Sequence, residues 1–151
     1  MIEKIFIKAE EIFDGRLRGN QLMASGVGLK PKDFRLLWKS KRMNDVTWLD
    51  LDDNCLGDEG VRELANCILL TNLQYLNLNN NGLTDQGVVA LAGSPHLINL
   101  KRLHLKGNDI RGEGLLALFN SATLGNLQTF QIHDGWSCRK REGWRYKSKD
   151  E

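Results

Sequence analysis

An α/β solenoid, a stack of strand–helix units sharing one core, is the fold class that this sequence predicts. Three observations carry it. First, the chain repeats every 27 residues: the segments beginning at Val46, Leu73, Leu100 and Leu127 align without gaps, and Leu49, Leu76, Leu103 and Phe130 fall in register. A fixed period of this size marks an array in which each unit buries its apolar face only against its neighbours. Second, each unit opens on alternating apolar and polar residues, the period of a strand with one buried face. Third, each full unit closes on apolar residues at i, i+3 and i+4, the stripe of a short helix.

In chain order, Ile2, Ile5, Phe6, Ala9, Ile12 and Phe13 make a helical stripe that is expected to stop before Gly15. The alternation in KIFIK offers a strand as a second reading. Either way residues 1–18 are expected to cap the open apolar end of the stack. Residues 19–45 read as a degenerate repeat. Leu22, Ala24, Leu29, Phe34 and Leu37 occupy the apolar positions, and Val27 replaces an expected Asn.

Residues 46–135 hold the regular repeats. Their strands carry Leu49/Leu51, Leu76/Leu78, Leu103/Leu105 and Phe130/Ile132 on the core side. Asn54, Asn81 and Asn108 follow. An Asn side chain both donates and accepts, so a column of them can satisfy the backbone where the strand turns away. Leu56, Leu83 and Ile110 plug the core again. The helices carry Val61, Leu64 and Ala65, then Val88, Leu91 and Ala92, then Leu115, Leu118 and Phe119. Asp58 and Asp85 are expected as the N-caps, with Gly112 a weaker one. Gly60, Gly87 and Gly114 in the first turn imply close backbone packing there, since Gly is costly in a helix. Residues 136–151 form a basic, aromatic C-terminal tail.

The pattern LxxLxLxxNxLxxxGxxxLA resembles the ribonuclease-inhibitor-like class of leucine-rich repeats, over residues 46–135. The resemblance implies a curved right-handed solenoid, a horseshoe segment with parallel strands on the concave face and helices on the convex face. It also implies non-catalytic, protein-binding work. It transfers no ligand, because such proteins share core positions and differ at the exposed ones.

Length and composition fit one domain over residues 1–151: the chain is long enough to bury a core without staples. No apolar run approaches the ~20 residues of a membrane span. Glu3, Lys4 and Lys8 spoil a signal-peptide core. Cys55, Cys67 and Cys138 form neither an even set nor a ligand motif, so free thiols and a cytoplasmic location are expected. Net charge is only +2. Its distribution is uneven, with Lys and Arg crowded in residues 30–42 and in the tail, and acids in residues 43–67.

The concave face is the expected place of function. Strand alternation sets Trp48, Tyr75, Arg102 and Thr129 in one outward column. Asp50, Asn77, His104 and Gln131 form a second, and Asp52, Asn79, Lys106 and His133 a third. Trp, Tyr and Arg are the types that most often dominate protein interfaces. The expected partner-binding residues are therefore Trp48, Asp50, Asp52, Tyr75, Asn77, Asn79, Arg102, His104 and Lys106. Four rungs of five-residue strands give a face of roughly 300 Å², against ~800 Å² per side in a stable interface. The face alone is too small, so the tail or the loop edges contribute, or the partner is a peptide.

Other chemistries find less support. His133, Asp134 and Cys138 lie close in sequence, but nothing supplies an oxyanion site. Asp50, Asp52 and Asp53 lack the glycine-bounded loop of a calcium site, and His133 with Cys138 is too few for structural zinc. The glycines follow the repeat and form no phosphate loop. No enzyme activity, metal or cofactor is expected, and a small monomeric adaptor is. The rival is nucleic-acid binding through the tail, where Trp136, Trp144 and Tyr146 interleave with basic residues suited to bases and phosphates. Against it, the same aromatics would serve as a lid over the last rung.

Overall fold

Leu22, Leu49, Leu76, Leu103 and Phe130 stand opposite one another on five adjacent strands, and all five side chains are buried. The computed structural model describes residues 11–133, 136–141 and 143–147. Its strands are β1 (Leu17–Arg18), β2 (Gln21–Met23), β3 (Trp48–Asp50), β4 (Tyr75–Asn77), β5 (Arg102–His104), β6 (Thr129–His133), β7 (Trp136–Arg141) and β8 (Gly143–Lys147). They form one sheet in sequence order. The pairs from β2 to β6 are parallel, and β1–β2, β6–β7 and β7–β8 are antiparallel. Between the parallel strands lie the helices α1 (Pro31–Leu37), α2 (Gly57–Ala65), α3 (Asp85–Ala92) and α4 (Gly112–Phe119). The alternation of helix and strand along a mainly parallel sheet is that of an α/β solenoid.

Parallel strands cannot share a tight turn, so each connection must leave the sheet and return through a helix. The departing backbone is satisfied by the Asn column. Asn54 Nδ2 donates to the carbonyls of Ala24 (2.9 Å) and Leu51 (3.0 Å), and its Oδ1 accepts from the Leu29 amide at 3.1 Å. Asn81 donates to Leu51 O (2.9 Å) and Asn79 O (2.7 Å) and accepts from Leu56 N at 3.4 Å. Asn108 donates to Leu78 O (2.9 Å) and accepts from Asn81 N and Leu83 N, both at 3.0 Å. Each side chain thus ties its own unit to the previous one.

Two further columns do the same on the return path. The hydroxyls of Ser94 and Ser121 donate to the carbonyls of Ala65 and Ala92 in the preceding unit, and Cys67 Sγ takes the same place against Trp38 O. Asn72, Asn99 and Asn126 donate to the carbonyls of Asn44 (2.9 Å), Thr71 (2.7 Å) and Ile98 (2.8 Å).

The helix starts differ from the sequence expectation. α2 begins at Gly57, so Asp58 lies within its first turn, and Thr84 rather than Asp85 is the N-cap of α3. Asp58 caps the following unit instead: its carboxylate accepts from Thr84 N (2.9 Å), Thr84 Oγ1 (2.6 Å) and Gly87 N (3.0 Å). Asp85 likewise accepts from Arg111 N at 2.7 Å. A carboxylate from one rung thereby meets the positive end of the next helix. This also corrects the reason for the glycines. A Cβ on Gly87 or Gly114 would lie 2.5 or 2.6 Å from the Asp58 or Asp85 oxygen, whereas at Gly60 the nearest atoms belong to the Leu56 side chain. The closest neighbours are side chains, the two carboxylates and the apolar Leu56, Val88 and Ile110.

The two ends also depart from expectation. Residues 11–16 are helical, so the helix runs on through Gly15; the remainder of the proposed N-terminal stripe, and the KIFIK alternative, lie outside the described residues. After that helix β1 and β2 form a tight hairpin around Gly19-Asn20, with Gly19 at φ +58. The tail forms a second hairpin. β7 adds antiparallel to β6, setting Cys138 opposite Phe130 in the core, and β8 follows it.

Candidate partner-binding face

Strand alternation sends every second residue away from the helices, and the parallel register brings these residues side by side. Trp48, Tyr75, Arg102 and Thr129 are successive partners, as are Asp50, Asn77, His104 and Gln131. The register extends both columns beyond the expected set. Gln21 and Met23 precede Trp48 and Asp50, while Arg139 and Ser137 follow Thr129 and Gln131.

The first column is a built stack. The Trp48 and Tyr75 rings lie parallel within 12°, with centroids 3.6 Å apart. The Arg102 guanidinium sits over both, 5.5 Å from the Trp48 ring and 5.7 Å from the Tyr75 ring. The two rings overlap almost face to face and bury one another's surfaces, and a cation over an exposed ring contributes ~0.5–1 kcal/mol. The stack holds three large side chains in one arrangement before any partner arrives, which lowers the entropy lost on binding.

The second column joins it through Tyr75 and His104. Their rings meet edge to face at 5.1 Å, and the Tyr75 hydroxyl lies 3.5 Å from His104 Nδ1. Burial chiefly, then Lys106 and Arg102, pushes the His104 pKa below its ordinary value, against an opposing pull from Asp50. The imidazole is therefore neutral at neutral pH. Burial raises the Tyr75 phenol, helped by Asp50 and Asp52 and opposed by Arg102, so this hydroxyl keeps its proton.

Not all nine expected residues are equally presented. Trp48, Asp50, Asp52, Tyr75, His104 and Lys106 are half-buried and Arg102 is exposed. Asn77 and Asn79 are only 8% and 9% exposed. The Asn77 side chain accepts from Asn79 N at 3.1 Å, and Asn79 Oδ1 from Lys106 N at 2.7 Å. Both thus serve the local backbone. Asp50 accepts from Asp52 N (3.1 Å), and Asp52 from Asn80 Nδ2 (3.1 Å).

The alternative chemistries come apart. His133 is exposed on β6, whereas Cys138 is buried against the core on β7, and Asp134 lies outside the described residues. Burial raises the thiol pKa of both Cys67 and Cys138. All three cysteines are free. Among the described residues no three His, Cys, Asp or Glu side chains gather to hold a metal ion, and no helix is long and apolar enough to cross a membrane. The side chains of Trp136, Trp144 and Tyr146 lie outside the described residues, so the lid reading does too.

Sequence reasoning offered the tail as one possible contributor to this face but did not read it as strands. The signal was present: Trp144 and Tyr146 alternate with Arg145 and Lys147, the period of a strand. Arg139 is exposed beside Thr129, and Arg145 follows it in register on β8. On the opposite side of the molecule the exposed apolar residues include Val89 on α3 and Leu116 on α4.

Among curated proteins none matches this chain. The family description "Leucine Rich repeat" matches it three times, at residues 43–65, 70–92 and 96–119. These spans contain β3 to β5 and α2 to α4, hence the stacked aromatics and the Asn column. Leucine-rich repeats are generally protein-interaction modules and typically non-catalytic. Residues 43–119 of this chain are leucine-rich repeats.

Proposed function

We propose that this protein is a non-catalytic adaptor that binds a protein or peptide on the sheet face turned away from its helices. The observation that carries the reading is the preassembled Trp48–Tyr75–Arg102 stack. Large aromatic and guanidinium groups held in place at the surface are the usual anchors of an interface. Seven residues form the core of the site: Trp48, Asp50, Asp52, Tyr75, Arg102, His104 and Lys106. Asn77 and Asn79 position the strands beneath them.

The repeats fit the ribonuclease-inhibitor-like class, with the sheet on the concave side of a curved right-handed solenoid. Residues 1–151 act as one domain, in which residues 19–45 are the degenerate first repeat. In support, β2 pairs with β3 in the same register as the later rungs, and Leu22, Ala24, Leu29, Phe34 and Leu37 are buried. The protein works as a monomer in the cytoplasm, in keeping with three free thiols.

The experiment is partner capture by single variants of the full chain. Trp48→Ala, Tyr75→Ala and Arg102→Ala should each weaken capture by ~2 kcal/mol or more, as anchor residues do. All three point away from the core, so thermal melts should show them folded. Arg62→Ala, on an exposed position of α2, is the control and should bind as wild type. Retained capture by the three column variants, with loss in Arg62→Ala, would place the site on the helix side.

A further inference from the structure

Charge on the sheet face is separated by rung. The carboxylates of Asp50 and Asp52 belong to β3 and its exit. The β4 rung offers the neutral Asn77 and Asn79, and β5 brings the cations Arg102 and Lys106 on either side of His104. The neutral Thr129 and Gln131 of β6 follow, then Arg139 on β7. The β8 strand pairs next, with Arg145 and Lys147 in register with Arg139 and Ser137. From β3 to β7 the face therefore runs from acidic to basic with neutral rungs between, while beyond β3 the register places Gln21 and Met23 on β2 and Arg18 on β1.

We propose that the segment bound here is extended and dipolar, laid across the strands. It places a basic side chain against Asp50 and Asp52 and acidic side chains against Arg102 and Arg139. This rests on the sheet-face reading above and adds the chemistry of the partner. The spacing follows from the sheet. β3 and β5 are two strand separations apart, ~10 Å, and β3 and β7 are four apart, ~19 Å. In the polyproline II form an extended chain advances ~3.1 Å per residue with about three residues per turn, so side chains three and six positions on face the same side. The acidic side chains thus fall about three and about six residues from the basic one.

A peptide fits better than a nucleic acid for two reasons. Trp48 and Tyr75 already stack on each other at 3.6 Å, so one face of each ring is taken before any base arrives. Asp50 and Asp52 also repel a phosphate chain tracking across the rungs. The hairpin supplies area as well as charge. Seven strand separations give ~34 Å, and at the ~10 Å length of the three-residue strands β2 to β5 the face covers roughly 340 Å². That suits a single extended segment better than a globular surface of ~800 Å².

The test uses the full chain as bait for a displayed library of random peptides about twelve residues long. Enriched peptides are resynthesised and titrated by fluorescence anisotropy. The expected consensus is a Lys or Arg with Asp or Glu three and six positions away. The Asp50→Lys/Asp52→Lys double variant should bind these peptides at least ~10-fold more weakly, and its own selection should lose the basic position. Arg139→Glu should lose the outer acidic position. Thermal melts confirm that each variant is folded.

Enriched peptides without this charge order overturn the proposal. If such peptides still lose affinity on Tyr75→Ala, the sheet face remains the site and only the dipolar chemistry fails. If they ignore both Tyr75→Ala and Arg102→Ala, the sheet-face reading fails with it. An absence of enrichment also overturns the dipolar segment. A mixed-sequence oligonucleotide that outcompetes the peptides, with a steep salt dependence, would overturn it in favour of nucleic acid.

Discussion

Replacing Asn81 by Leu tests the inter-repeat ladder at its most enclosed position, where the side chain is 1% exposed. Three bonds disappear: those to the carbonyls of Leu51 (2.9 Å) and Asn79 (2.7 Å), and that from the Leu56 amide (3.4 Å). The losses are unequal. Leu51 O keeps Asn54 Nδ2 at 3.0 Å, and Asn79 O keeps the Asp53 amide at 3.1 Å. Each carbonyl therefore forfeits one of two partners, ~0.5–1.5 kcal/mol apiece. The Leu56 amide is left buried without Asn81 Oδ1, at ~1–3 kcal/mol, and the length of that bond argues for the lower end. After some return from apolar packing, the expected loss is ~2–4 kcal/mol. At this chain length ~2–4 °C of melting temperature go with each kcal/mol, so the midpoint should fall by ~5–15 °C. The assay is a thermal melt followed by circular dichroism, with Arg62→Ala as surface control. A midpoint within ~1 °C of wild type would refute the argument that these side chains hold the turns.

Three further outcomes are expected. Gly107→Ala should destabilise by ~1–2 kcal/mol or more in urea unfolding, because φ is +69 there and the new Cβ meets the Asn80 carboxamide; a neutral result would mean the turn relaxes freely. Deleting residues 136–151 should lower the melting temperature, since β7 leaves the edge of β6 and Cys138 leaves Phe130; an unchanged melt would show that the hairpin adds nothing to the stack. His104 binds its proton more weakly in the folded protein than at the ordinary ~6.5, so the unfolded state holds more protons just below that pH and stability falls as pH drops through it. His104→Asn should remove this loss, which levels off below the folded pKa, and parallel stability curves for the two proteins would contradict the assignment.

The repeat made the core and the outward columns legible, because a fixed period assigns every register position at once. Leu49 and Trp48 fall on opposite faces by alternation alone, and an Asn at a strand exit has one main structural use. What stayed hidden depends on neighbours in space. Asp58 looks like a cap for its own helix, yet its bonds run to Thr84 and Gly87 in the following unit. One-dimensional capping rules carry no information about that neighbour. The left-handed residues Gly26, Asp53, Asn80 and Gly107 occupy the same place in four successive turns, but two are not glycine, so composition conceals the column. The stack of Arg102 over Trp48 needed coordinates, since it reaches across two rungs. The terminal hairpins were missed for another reason. Gly19-Asn20 is a recognisable two-residue turn, and the tail alternates like a strand, but both lie where the 27-residue pattern fades.

The most direct test of the central claim is chemical-shift mapping of the isotope-labelled full chain during titration with its captured partner. The account predicts that the amides of Trp48, Asp50, Tyr75, Arg102, His104 and Arg139 shift together, along one face and across β3 to β7. Shifts gathered instead at Arg62, Val89 and Leu116 would place the partner on the helices and contradict it.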